Sequence, residues 1–224
     1  MGRVGAPALT VCNFCSPKGD NNRNMKHAAV VLILTAAPIL AGGISDSERA
    51  SLIDHLNKTK AKFHAAVAGL SEAQYNFKAA PERWSIAECA EHIAVSEDMI
   101  RSLVTDRVLK TPASPDNIAV RVKNDAMILT GLTDRSQKFK APEMLQPTRR
   151  FATLQEAVAH FGKSRQQTLD YAKTSTDDLR SHAAPHPVFK EMDGYQWLLL
   201  LSGHSERHTL QILEVKAEPT FPKQ

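Results

Sequence analysis

Residues 193–216, DGYQWLLLLSGHSERHTLQILEVK, decide how the rest of the chain is read. Asp193 stands where a helix cap belongs, its carboxylate free to accept from the first unpaired N–H groups, and the helix it opens runs from Gly194 to about Lys216. Along that helix Trp197, Leu201, His204, His208, Ile212 and Val215 recur at intervals of three and four, so they share one face, and the face is apolar enough to turn inward. Two histidines on such a face must find partners, because buried ring nitrogens are costly when unpaired. Four residues apart, their Cβ atoms lie about 6 Å from each other, close enough for both imidazoles to reach one ion. The order H-S-E-R-H puts Glu206 off that face, which excludes the H-E-x-x-H arrangement of zincins.

Working outward, the remaining chain also reads as helices. Residues 46–68 space Leu52, Leu56, Phe63 and Val67 helically, with Gly69 as the stop. Ser85-Ile86-Ala87-Glu88 has the pattern of a capping box, and Ile86, Ala90, Ile93, Ile100 and Val104 trace one face to about Leu109. A third helix is expected over 116–130, with Gly131 and Pro142 bracketing a loop. Thr153-Leu154-Gln155-Glu156 has the pattern of another capping box, opening a helix that buries Leu154, Val158, Phe161 and Leu169. Residues 174–187 are expected to be loop, with a short extra helix at 176–181. No stretch of useful length alternates with period two, so no strand is predicted. The sum is an all-α fold, four or five amphipathic helices packed as an antiparallel bundle over residues 44–224.

The N-terminal part is expected to lie outside that domain. Residues 1–24 carry no hydrophobic period, and Met25-Lys26-His27 then introduces an apolar run from Ala28 to Ala41. The run is too short to span a bilayer and has the length of a signal-peptide core, with small residues Ala41-Gly42-Gly43 behind it. Residues 25–43 are therefore read as a Sec-type export signal, Met25 as the start of the native chain, and residues 1–24 as an extension of the reading frame. The mature protein is expected to be periplasmic or secreted, with no membrane association after cleavage. Of 28 basic and 24 acidic residues, four basic and one acidic fall within 1–43, so the mature domain is left at +1. That near-neutrality removes the electrostatic argument for nucleic acid. Cys12 and Cys15 fall in the discarded part, and Cys89 remains alone, a buried small residue or a neighbour of the site.

Of the nine histidines, seven remain to be sorted. His182 and His186 repeat the four-residue spacing but flank Pro185, which disfavours a helical turn between them. His92 lies two turns into the helix capped by Ser85, on the stripe Glu88, Cys89, His92, Ser96, Met99, and is the best third ligand to join His204 and His208. His55 and His64, nine apart on the first helix, fit their apolar stripe less well, and His160, between Ala159 and Phe161, reads as either a core or a surface residue. Three neutral imidazoles leave an open coordination position, the arrangement of catalytic rather than structural sites. Zinc suits such a set best, while nickel, iron and manganese also fit.

Two segments then carry a family resemblance: Pro81-Glu82-Arg83-Trp84-Ser85-Ile86-Ala87-Glu88-Cys89-Ala90-Glu91-His92-Ile93, and Gly203-His204-Ser205-Glu206-Arg207-His208-Thr209-Leu210-Gln211-Ile212. In order, separation and helical placement they resemble the P-x-x-W-S…E…H segment and the C-terminal H…H…Q helix of the DinB-like superfamily, which includes bacillithiol transferase-like proteins. The resemblance spans about residues 46–216. It implies a four-helix bundle holding a divalent metal through His92, His204 and His208, and a metal-dependent hydrolase or thiol S-transferase acting on a small molecule. The alternative is a metal-binding stress protein without turnover. A small-molecule substrate is the expected partner, and a homodimer the assembly to look for.

Overall fold

A computed structural model describes residues 43–223. The readings of 1–24 as an extension and of 25–43 as a signal, with its cleavage between Ala41 and Ile44, fall almost wholly outside those residues. What is described is mainly helical. Helix α1 spans Asp46–Val67, α2 Glu72–Asn76, α3 Ile86–Asp106, α4 Ile118–Thr133, α5 Leu154–Thr174 and α6 Gly194–Lys216, with strands β1 (Ala183–His186) and β2 (Lys190–Asp193) just before α6. None of these helices is long and apolar enough to cross a membrane.

The helix starts follow from their capping residues. Ser45, Ser85 and Asp193 each accept from the third residue of their helix, whose own Glu or Gln side chain reaches back to the cap N–H. Thr153 accepts from the Glu156 N–H in the same way, but Glu156 returns its carboxylate to the Ala152 N–H instead, so that box is offset by one residue. Gly69, at φ +68°, takes the left-handed backbone just past the end of α1.

Four helices, α1, α6, α3 and α5, form a closed ring in that order, and α4 packs outside it against α6. Contacts between named residues fix the directions. Thr59 lies beside Ser202 and Lys62 pairs with Glu206, so α1 and α6 run parallel. Arg49 caps the carbonyls of Ala172 and Ser175 while Arg165 reaches Leu56, so α1 and α5 run antiparallel. Each long helix reverses the one before it in sequence. Because α4 makes one of those passes outside the ring, α3 and α5 end as parallel neighbours. Close approach lets α4 dock: at Gly203 an added Cβ would come 2.8 Å from Leu132, and at Gly131 it would come 3.1 Å from the Phe189 ring.

The structure corrects the sequence reading in three places. Gly131 lies inside α4, which continues to Thr133, rather than ending it. The segment 183–193 is a two-stranded antiparallel hairpin in which Ala183 pairs with Asp193 and His186 with Lys190. Its strands are four residues each, too short for alternation to register. The short helix expected at 176–181 is a series of turns. There the Asp178 side chain takes the Ser181 N–H, and Arg180 turns inward to Glu48, Asp125 and Asp193. Local side-chain bonds of this kind outcompete a helix. The short helix that does occur is α2.

The core is divided by a polar waist. One apolar cluster gathers Leu52, Leu56, Ile100, Val104, Leu169 and Leu198. The other gathers Phe63, Ile86, Cys89, Ile93, Phe161 and Ile212. Between them Arg165, fully buried, forks onto both oxygens of Glu97 at 2.7 and 2.8 Å and also reaches Leu56 O, Thr59 and Ser205. Thr168 donates to the same carboxylate, so each charge is paired and hydrogen-bonded.

Candidate metal centre

Because α3 and α6 run antiparallel, the inward stripe of each meets the other near mid-bundle. His92 contributes from α3 and His204 and His208 from α6. The Nε2 atoms of His92 and His204 stand 2.9 Å apart, and one ring nitrogen from each of the three histidines falls within 4.8 Å of the others. All three ring pairs have centroids 4.4–4.8 Å apart. Trp84, immediately before the α3 cap, forms one wall, stacked 5.8 Å from the His208 ring and tilted against the His92 ring at 4.9 Å. His92 and His208 are buried, and His204 keeps some solvent access.

The outer nitrogens settle which atoms face the centre. His92 Nδ1 lies 2.8 Å from the Leu145 carbonyl, which can only accept, so Nδ1 carries the proton and Nε2 presents a lone pair. His208 Nδ1 donates to Gln211 Oε1 at 2.9 Å, with the same consequence. Burial holds all three imidazoles below the usual range, and for His204 and His208 the neighbouring imidazoles push in the same direction. The rings are therefore neutral at pH 7, and His92 and His208 turn Nε2 lone pairs inward. His204 Nε2 stands at hydrogen-bond distance from His92 Nε2, so a proton on it bridges the pair where a cation would otherwise stand. Three imidazole nitrogens gathered in this way have the ligand chemistry that a divalent cation takes. On this observation the residues fit a metal ion.

Other residues named from the sequence fall elsewhere. Glu88 completes the Ser85 capping box and pairs with Lys78. Cys89 is fully buried in the apolar cluster, burial pushes its thiol well up, and it lies outside the three-histidine group. Ser96, one turn beyond His92, is buried, and its hydroxyl has no hydrogen-bond partner. Glu206 pairs with Lys62 across the α1–α6 seam, as its position off the histidine face requires. His182 donates to the Thr111 carbonyl, and His186 accepts from the Val188 and Phe189 N–H groups, so that pair serves the hairpin. His160 pairs with Asp98 at 2.6 Å, and His64 packs edge-on against Phe63. His55 lines a groove of about 310 Å³ between α1, α4 and the start of α6, where Arg180 already engages Glu48 and Asp125. Trp197 packs on His186, away from the site. Sequence reasoning missed Leu145, whose loop carbonyl leaves no trace in residue type or spacing.

The chain is similar to several known proteins. The profile of the DinB superfamily matches residues 55–212. An uncharacterized protein of Bacillus subtilis (strain 168), YuaE, is 27% identical over 161 residues, covering 71% of this chain and 94% of its own. A solved structure, YfiT from Bacillus subtilis, described as "a probable metal-dependent hydrolase with an unusual four-helix bundle topology", is 17% identical. It covers 77% of this chain and 88% of its own at a TM-score of 0.49.

Proposed function

The chain belongs to the DinB superfamily, and from that premise we propose that it is a divalent-metal enzyme, a hydrolase of a small molecule working through His92, His204 and His208. The observation that carries this reading is the convergence of three neutral imidazoles, one ring nitrogen of each within 4.8 Å of the others, on one largely buried point. A structural ion is closed off by four protein ligands, and here the group among the described residues has three. When bound, a divalent ion supplies Lewis acidity, which generates a nucleophile from water or a thiol at neutral pH.

The chain's own residues do the rest. Leu145 and Gln211 hold two of the rings in the tautomer that offers Nε2. Trp84 shields one side, lowering the local dielectric and limiting water. The partial exposure of His204 marks the side from which a small substrate enters. Zinc is the metal proposed, since three imidazoles and an open position suit it. Transfer of a thiol is the second reading. The export signal read over residues 25–43 favours water, because it places the protein away from cytosolic low-molecular-weight thiols.

The test begins with metal analysis of untagged protein, followed by hydrolase and thiol-conjugation screens on zinc-loaded and chelated samples. Turnover that requires the metal, and needs no added thiol, is expected. Stoichiometric zinc without turnover on either screen would favour the stress-protein alternative, and absence of bound metal would overturn the reading.

A further inference from the structure

Residues 134–150, the segment that brings the Leu145 carbonyl to His92, are fastened at two points, and each fastener is the immediate chain neighbour of a histidine of the cluster. Arg207, next to His208, donates to the carbonyls of Leu132, Asp134 and Gln137. Glu91, next to His92, is 4% exposed and accepts from the Thr148 N–H at 2.7 Å, the Arg150 N–H at 3.2 Å and the Arg150 guanidinium at 2.8 Å. Arg149 lies between those two amides at φ +63°. A non-glycine residue in the left-handed region is uncommon, and here it turns the amides on either side of it toward one carboxylate.

Arg150 extends the clip. Its guanidinium also donates to the carbonyls of Met144 and Gln146, which flank Leu145 on either side. The Leu145 carbonyl is the group that receives His92 Nδ1–H. An unbroken set of bonds thus runs from Glu91 through Arg150 and the 144–146 turn back to His92, one residue further along the same helix. With three donors on its two oxygens, the Glu91 carboxylate is committed to this loop.

We propose that Glu91 is a positioning residue for the metal centre: it clamps the 144–150 turn so that the Leu145 carbonyl fixes the tautomer and orientation of His92. The inference rests on the metal reading given above, but its first consequence is visible without metal.

The test uses the full chain, labelled with ¹⁵N-histidine and kept in chelator, and compares wild type with Glu91→Gln, Glu91→Ala and Arg150→Ala. In wild type, His92 should show a protonated Nδ1 and an unprotonated Nε2. In Glu91→Ala both nitrogens should move to the averaged shifts of mixed tautomers, with Glu91→Gln between them. Zinc affinity, measured by competition with a chromophoric chelator, should fall by about 10- to 100-fold in Glu91→Ala. It should fall less in Glu91→Gln, which keeps one oxygen acceptor. Arg150→Ala attacks the same clip from the loop, so adding it to Glu91→Ala should weaken zinc little further. If a folded variant keeps the wild-type His92 tautomer and zinc affinity, the proposal is overturned. Should Glu91→Ala fail to fold, Arg150→Ala and Glu91→Gln decide on the same two readouts. If wild type shows the fixed tautomer and the variants lose it, yet no protein binds zinc, the metal reading fails and the clamp stands.

Discussion

Single residues carry the chemistry proposed here, and they can be removed one at a time. His204→Ala and His208→Ala should each abolish stoichiometric metal while leaving a helical, folded chain, because the apolar clusters do not depend on an ion. His182→Ala, whose ring serves Thr111, should keep full metal content. Elemental analysis beside circular dichroism checks all three. Acidity provides a second test. The three imidazoles titrate below 6.5 in the fold and recover about that value on unfolding, so below pH 6.5 the unfolded chain binds more protons. Stability of the metal-free protein should therefore fall as pH drops through that value toward the lower folded-state values, and His204→Leu should flatten the slope. A melting temperature independent of pH from 7.5 to 5.5 in chelator would contradict this. Much of the site was readable from sequence, since two histidines on an apolar stripe and one on a capped helix state their own problem of partners. Glu91 and Leu145 were not readable, because their roles arise from a loop more than fifty residues along the chain.

At the level of elements, the caps were the most legible signals. Ser85, Thr153 and Asp193 begin the helices that their side-chain chemistry predicts. The hairpin was not legible, for its four-residue strands include Pro185 and bury residues on no simple alternation. Asp193 joins the two levels: it ends β2, caps α6 and pairs with Arg180 at 3.0 Å while fully buried. Loss of both cap and charge partner in Asp193→Ala should cost about 3–5 kcal/mol in urea unfolding. Asp193→Asn keeps the cap oxygen, and Arg180 retains Glu48 and Asp125, so its cost should be nearer about 1 kcal/mol. Equal losses in the two variants would show that the cap contributes little.

Across the whole molecule, the bundle class follows from the number and spacing of amphipathic helices, but the ring order does not. Nothing in the pattern of α4 marks it as the pass that lies outside, and that placement makes α3 and α5 parallel and leaves α6 between α1 and α3. The polar waist was equally hidden, because Arg165 and Glu97 read as surface residues until they are seen to meet. Arg165→Met alone should cost about 3–5 kcal/mol by leaving Glu97 buried and unpaired. The double variant Glu97→Met/Arg165→Met should recover most of that loss. Ser205 and Thr168 can still bond the Leu201 and Ser164 carbonyls of their own helices. A double variant no more stable than the single would mean that the waist contributes net stability. The most direct measurement, however, is X-ray absorption at the zinc edge on protein loaded with one equivalent of metal. Three imidazole nitrogens at about 2.0–2.1 Å and one further light atom are expected. A sulfur shell at about 2.3 Å, or fewer than three imidazoles, would contradict a centre built from His92, His204 and His208.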